Sequence, residues 1–147
     1  TRFDLKGEQL MRQMPIMTSH MHPFPWAVDI GISIRAALDE MTSHNIHHLP
    51  VKSGSEVVGI VSAEQLTLGL TKDDAETDLT AYCDHSVLKF QTRDTLDRVL
   101  TQMIESDQGA VLVMKEERLA GIYTARNAIH HLLKLLTELY PPGNDAA

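Results

Sequence analysis

The strongest constraint on this chain is that it nearly repeats itself. Shifted by 62 residues, "ISIRAALDEM" (32–41) lies over "DTLDRVLTQM" (94–103), and "HHLPVKSGSEVVGIVSAEQL" (47–66) lies over "GAVLVMKEERLAGIYTARNA" (109–128). No gap is needed. Ile34 falls on Leu96, Leu38 on Leu100, Met41 on Met103, Val51 on Val113, Gly59 on Gly121, Ile60 on Ile122 and Ser62 on Thr124. A register that keeps glycine on glycine between apolar partners, while holding the phase of a helix, marks a duplicated unit.

Both copies have the same internal grammar. Ile34, Ala37, Leu38 and Met41 recur at the spacing of one helical face, and Leu96, Val99, Leu100 and Met103 repeat it. A short branched run follows ("HLPV", "AVLVM"), then a polar turn ("KSGSE", "KEER") and a second apolar run ("VVGIVS", "LAGIYT"), which predicts a β-hairpin. Ser62 and Thr124 are suited to cap a second helix. A short strand is expected before the first helix of each copy, at "WAVDI" and "VLKF".

The fold class is therefore α+β. The expected layout is a lead segment 1–14 with a short helix at "LMRQM", a first repeat 15–70, and a linker 71–80 around the acidic "TKDDAETD". A second repeat over 81–140 and a tail 141–147 complete it, the last helix stopping at the prolines of "YPPG". A copy of about 60 residues buries too little surface to stand alone, so the two sheets should pack together.

Composition removes several function classes. Net charge is −7 and the basic residues are scattered, which argues against a nucleic-acid surface. No apolar run approaches the ~18 residues of a membrane span, and no basic segment leads into an apolar one, so neither a membrane anchor nor a secretory leader is expected. The single cysteine, Cys83, excludes an intrachain disulfide and reads as a packing residue; a reducing cytoplasmic setting is expected. Nucleophile–base pairs, carboxylate dyads and phosphate-cradling glycine loops are not apparent, so catalysis is not expected.

A hydrophobic–Pro–Val strand, a turn, and then Gly–apolar–apolar–Ser/Thr opening a helix, present twice as "HHLPV … VVGIVSAEQL" and "GAVLV … LAGIYTARNA", resembles a tandem CBS domain pair, or Bateman module. The resemblance covers about residues 15–135. It implies two β-α-β-β-α units related by a pseudo-twofold axis, homodimerisation of the pair, and a regulatory role toward a partner protein in trans. It also implies a ligand between the units: AMP, ADP, ATP or S-adenosylmethionine, with no cofactor required.

On the matching positions, the ligand residues in the second copy would be Gly109, Ala110, Val111, Ile122, Thr124, Arg126 and Asn127. A weaker site in the first copy would use His48, Pro50, Ile60, Ser62 and Gln65. The start of a helix offers N–H groups and partial positive charge to a phosphate, and the capping hydroxyl adds a donor. Three residues past the hydroxyl, where nucleotide-binding members usually carry Asp for the ribose diol, this chain has Gln65 and Asn127. An amide loses the charge assistance of a carboxylate. Arg126 favours a phosphate where Glu64 repels one, and Gly109–Ala110 in place of His47–His48 suggests a roomier second cleft. The rival reading is a structural dimerisation module that has lost nucleotide affinity.

A histidine-based metal sensor is the third reading. His47 and His48 are adjacent on a strand and point to opposite faces, while His130 and His131 lie about 100° apart on a helix. His20 and His22 are the best-spaced pair, and no zinc-type spacing occurs, so no metal site is expected. The methionines read as core filler, and "HPFPWAV" as a buried anchor at the domain edge or dimer contact.

Overall fold

The structure, a computed structural model, describes residues 14–19, 21–23, 27–141 and 143. Residues 10–13 of the helix expected at 10–14, and Trp26 of the expected anchor, lie outside these residues. In the first unit, β2 (Val28–Asp29), α1 (Ile34–His44), β3 (His48–Ser53), β4 (Glu56–Ser62) and α2 (Ala63–Gly69) follow in order. In the second, β5 (Lys89–Gln91), α3 (Leu96–Ser106), β6 (Ala110–Lys115), β7 (Arg118–Thr124) and α4 (Ala125–Leu139) repeat them. A leading strand, β1 (His22–Pro23), joins the second sheet, whose order is β1-β7-β6-β5; the first sheet runs β2-β3-β4.

The local causes repeat along with the elements. Ser33 caps α1, its hydroxyl accepting from the Ala36 N–H at 3.0 Å. Asn45 and Asp107 end α1 and α3 in the left-handed region, each at φ 54°, a conformation Asn and Asp tolerate better than most side chains. Both hairpins are antiparallel and both shift register at the same place, between Val51 and Lys52 and between Val113 and Met114.

The duplication also relates contacts between the units. The Ile34 N–H donates to the Thr77 carbonyl at 2.9 Å, and the Leu96 N–H donates to the Pro15 carbonyl at 2.8 Å. Isolated bridges join Ser33 to Asp78 and Ile16 to Thr95. The segment before each unit is thus laid on the other unit, an exchange that a pseudo-twofold axis produces. It answers a local need, because the first N–H groups of a helix have no partner within it. Thr77 and Ala75, in the acidic connecting segment, supply those acceptors to Ile34 and Arg35.

Strand alternation distributes the core. Val111 and Val113 pack inside the second unit with Phe90, Val99 and Tyr123, while Ala110, Leu112 and Met114 face Ile60 of the first unit. Those five consecutive residues of β6 are all buried. A strand covered on both faces reads as an unbroken apolar run, which is why "AVLVM" does not alternate.

Candidate functional site

Among the described residues, two clefts open beside the helix starts where the units meet. In the second, of about 410 Å³, Ile122, Thr124, Arg126 and Asn127 from the start of α4 face Asn45, Ile46, His47 and His48 of the first unit. In the first, of about 220 Å³, Ile60, Ser62 and Gln65 face Asp107, Gln108, Gly109 and Ala110 of the second unit, with Tyr82 and Asp84 on the wall. Each cleft takes its helix start from one unit and its opposing wall from the other.

This crossing redistributes the residues expected from sequence. Gly109, Ile122, Thr124, Arg126 and Asn127 come together in the second cleft. His48, Ile60, Ser62 and Gln65 come together in the first, where Ala110 also lies. Val111 points into the core of its own unit, and Pro50 is buried in β3 and lines neither cleft. The second cleft is the roomier, but not because the histidines narrow the first. His47 lines the second cleft and His48 lines both; the wall particular to the first is Tyr82 and Asp84.

At the start of α4, the Thr124 hydroxyl accepts from the Asn127 N–H at 3.1 Å. Asn127 Oδ1 accepts in return from the Thr124 N–H at 2.9 Å and the Thr124 hydroxyl at 3.0 Å. This reciprocal capping box directs both lone pairs of the amide oxygen at Thr124. The Ala125 N–H donates to the Gly109 carbonyl at 2.8 Å, so it and the Asn127 N–H already have acceptors. In the first copy the Ala63 N–H donates likewise to the His47 carbonyl, and Ser62 accepts from the Gln65 N–H at 3.1 Å.

The shared wall has a distinct electrostatic character. His48 is half-buried, and burial, with the neighbouring His47 as the lesser cause, pushes its imidazole below the ordinary histidine range. In the first cleft the Tyr82 hydroxyl donates to the Asp73 carboxylate at 2.5 Å, and that bond holds the phenol above its ordinary range. A Cβ on Gly69 would lie 2.6 Å from the Tyr82 ring, so a glycine in α2 lets the ring take up its position. Gln108 is a clamp: its Oε1 accepts from the Leu88 N–H at 2.9 Å and its Nε2 donates to the Ser86 carbonyl at 3.0 Å. Among the described residues no group of three or more His, Cys, Asp or Glu converges in a metal-binding arrangement.

Sequence reasoning missed Asn45, Ile46, Asp107, Gln108, Tyr82 and Asp84 as cleft residues, and it set His47 at the first cleft, whereas His47 lines the second. The offset flags Asn45 and Asp107 as equivalents, but only knowledge of which wall faces which helix start would have placed them.

A duplicated α+β module with its clefts at the junction of the units is the class that fold and site define. The CBS domain family model matches residues 12–70 and 79–134, and the chain belongs to that family. Several solved structures share the fold. The CBS domain pair of protein MJ0100, in complex with 5′-methylthioadenosine and S-adenosyl-L-methionine, is 20% identical at TM-score 0.75, covering 84% of this chain and 99% of that one. Hypoxic Response Protein I with two coordinated zinc ions is 21% identical at TM-score 0.66, covering 80% and 99%. CBSX2 in complex with AMP is 20% identical at TM-score 0.65, covering 82% and 97%. Comparison with curated protein sequences finds no match.

Proposed function

We propose that this chain is a non-catalytic regulatory module whose second cleft binds an adenosine-type ligand, AMP, ADP, ATP or S-adenosylmethionine. The observation that carries this reading is Arg126 at the start of α4, on the larger of the two helix-start clefts and opposite residues of the other unit. A guanidinium beside a helix N-terminus suits a phosphate. A ligand touching both units binds their two arrangements unequally, which is what regulation of a partner in trans requires. Support comes from the MJ0100 pair and CBSX2, which share the fold and hold such ligands. In this reading the module needs no cofactor and works in the cytoplasm.

Thermal melting against AMP, ADP, ATP and S-adenosylmethionine tests it. A ligand at 100 times its dissociation constant adds about 2.7 kcal/mol of stability. Arg126→Ala should abolish the shift given by a nucleotide, and Glu64→Ala should not. No shift with any of the four at millimolar concentration would sink the reading.

The second reading, a structural dimerisation module, is favoured by α4. Ile129, Leu132, Leu133, Leu136, Leu139 and Tyr140 are all exposed, and no residue of this helix is fully buried. Ile129, Leu133, Leu136 and Tyr140 follow the alternating four-and-three spacing of a coiled-coil seam. The occupant we propose for this seam is α4 of a second copy. Leu133→Glu/Leu136→Glu should turn a dimer into a monomer in analytical ultracentrifugation. A wild-type monomer at 100 times assay concentration would remove this interface.

A further inference from the structure

The two helix starts match in backbone and differ in what they leave unengaged. In the first copy Ser62 accepts from the Gln65 N–H, and among the described residues the Gln65 side chain makes no bond back to Ser62. In the second copy the cap is reciprocal. Asn127 Oδ1 accepts from the Thr124 N–H at 2.9 Å and from the Thr124 hydroxyl at 3.0 Å. A backbone N–H only donates, so the amide atom turned toward Thr124 is the oxygen, which fixes the amide's orientation. That oxygen has two lone pairs, and both are in use. What Asn127 keeps for a ligand is Nδ2, two N–H groups with no acceptor among the described residues.

The rest of the second cleft has the same bias. Arg126 stands beside Asn127 on the first turn of α4 and makes no ion pair among the described residues. The opposing wall brings Asn45, His47 and His48, and no Asp or Glu lines the cleft. The Thr124 hydroxyl has already given its proton to Asn127. The α4 side of the cleft is therefore a pair of unengaged donor groups, one amide and one guanidinium.

The reading that sets a phosphate at Arg126 sets the ribose at Asn127, three residues past the capping hydroxyl. A free ribose diol is best met by a carboxylate, which accepts from both hydroxyls, whereas a phosphate on a ribose oxygen is met by N–H donors and a guanidinium. A ribose hydroxyl could accept from Nδ2, but as a neutral acceptor it makes a bond about half as strong as a phosphate oxygen does. Resting on the reading of the second cleft as a nucleotide site, we infer that it selects a nucleotide carrying a further phosphate on its ribose, at the 2′ or 3′ oxygen, over one with a free diol. Asn127 is the residue that sets this specificity, and AMP and ADP are the weaker ligands.

Calorimetric titration of the full chain with AMP, ADP, adenosine 2′,5′-bisphosphate and adenosine 3′,5′-bisphosphate tests this. ADP has as many phosphates as the bisphosphates but leaves the diol free, so it separates placement from charge. One bisphosphate should bind about tenfold tighter than ADP, and its identity names the ribose oxygen. Asn127→Asp keeps the cap and exchanges the donors for an acceptor oxygen; it should weaken that bisphosphate about tenfold and strengthen AMP. If neither bisphosphate binds tighter than ADP, or if Asn127→Asp weakens neither, selection of a ribose phosphate is wrong while the nucleotide site stands. If none of the four compounds binds, the phosphate-bearing ligand and the selection fall together.

Discussion

Met17 and Leu79 are exchanged across the molecule. Met17 precedes the first unit and is fully buried in the core of the second; Leu79 precedes the second unit and is fully buried in the core of the first. They stand 62 positions apart, the offset of the repeat. Each core is completed by a residue delivered from the segment leading into the other unit. Met17→Ala and Leu79→Ala should each cost about 2–5 kcal/mol. Urea unfolding followed by circular dichroism should show one cooperative transition in the wild type; two separated transitions would contradict the interlock.

Gly59 sits where β4 meets the segment that crosses to it. The Ile60 N–H donates to the Asp84 carbonyl at 3.2 Å, and the Asp84 N–H donates to the Ile60 carbonyl at 2.8 Å. A Cβ on Gly59 would lie 2.6 Å from the Cys83 sulfur and would also meet the Asp84 backbone. Gly59→Ala should therefore destabilise by about 1–3 kcal/mol in the same assay. Unchanged stability would mean that residues 83–84 move aside freely.

His48 makes stability depend on pH. Burial lowers its folded pKa below the unfolded value, so on acidification the unfolded chain takes up the proton first. Its contribution is fully present above about pH 6.5 and is lost as pH falls from there through the lower folded pKa. His48→Ala, which copies Ala110 at the equivalent position, should flatten that part of the stability profile. An identical slope in wild type and variant would remove His48 as the source.

Asn127→Asp tests the ribose position. A carboxylate keeps the cap on α4 and adds favourable charge at its N-terminus, about 0.3–1 kcal/mol of stability. It also strengthens acceptance from ribose hydroxyls, so AMP affinity should rise about tenfold in calorimetry. A stabler protein with unchanged AMP affinity would place the ribose elsewhere.

Tyr123 is fully buried, its hydroxyl makes no hydrogen bond among the described residues, and burial holds the phenol above its ordinary range. Tyr123→Phe removes a desolvated polar atom and should stabilise by about 1 kcal/mol, read as a raised melting temperature. A loss of stability would mean that the hydroxyl has an acceptor.

Much of this architecture was legible in the residue order. Helical phase, hairpin runs and capping hydroxyls depend on neighbours a few positions apart, so Ser62 and Thr124 announce helix starts that the structure contains. The site was legible in part. Thr124, Arg126 and Asn127 lie together because they open one helix, whereas Ala110 and Val111, adjacent in a strand, cannot both face a cleft. The amide of Asn127 could be read as a weaker ribose acceptor, but its double engagement by Thr124 could not.

By itself, the sequence determined the duplication, the elements of each copy and the family, because these rest on spacing along the chain. Only the tertiary structure decided that each copy's helix start faces the other copy's wall. Self-alignment superimposes equivalent residues, whereas a pseudo-twofold axis sets non-equivalent ones against each other. That is why Arg126 looks across at His47 and Asn45, and why Asp107 shares a cleft with Gln65 rather than with Asn127.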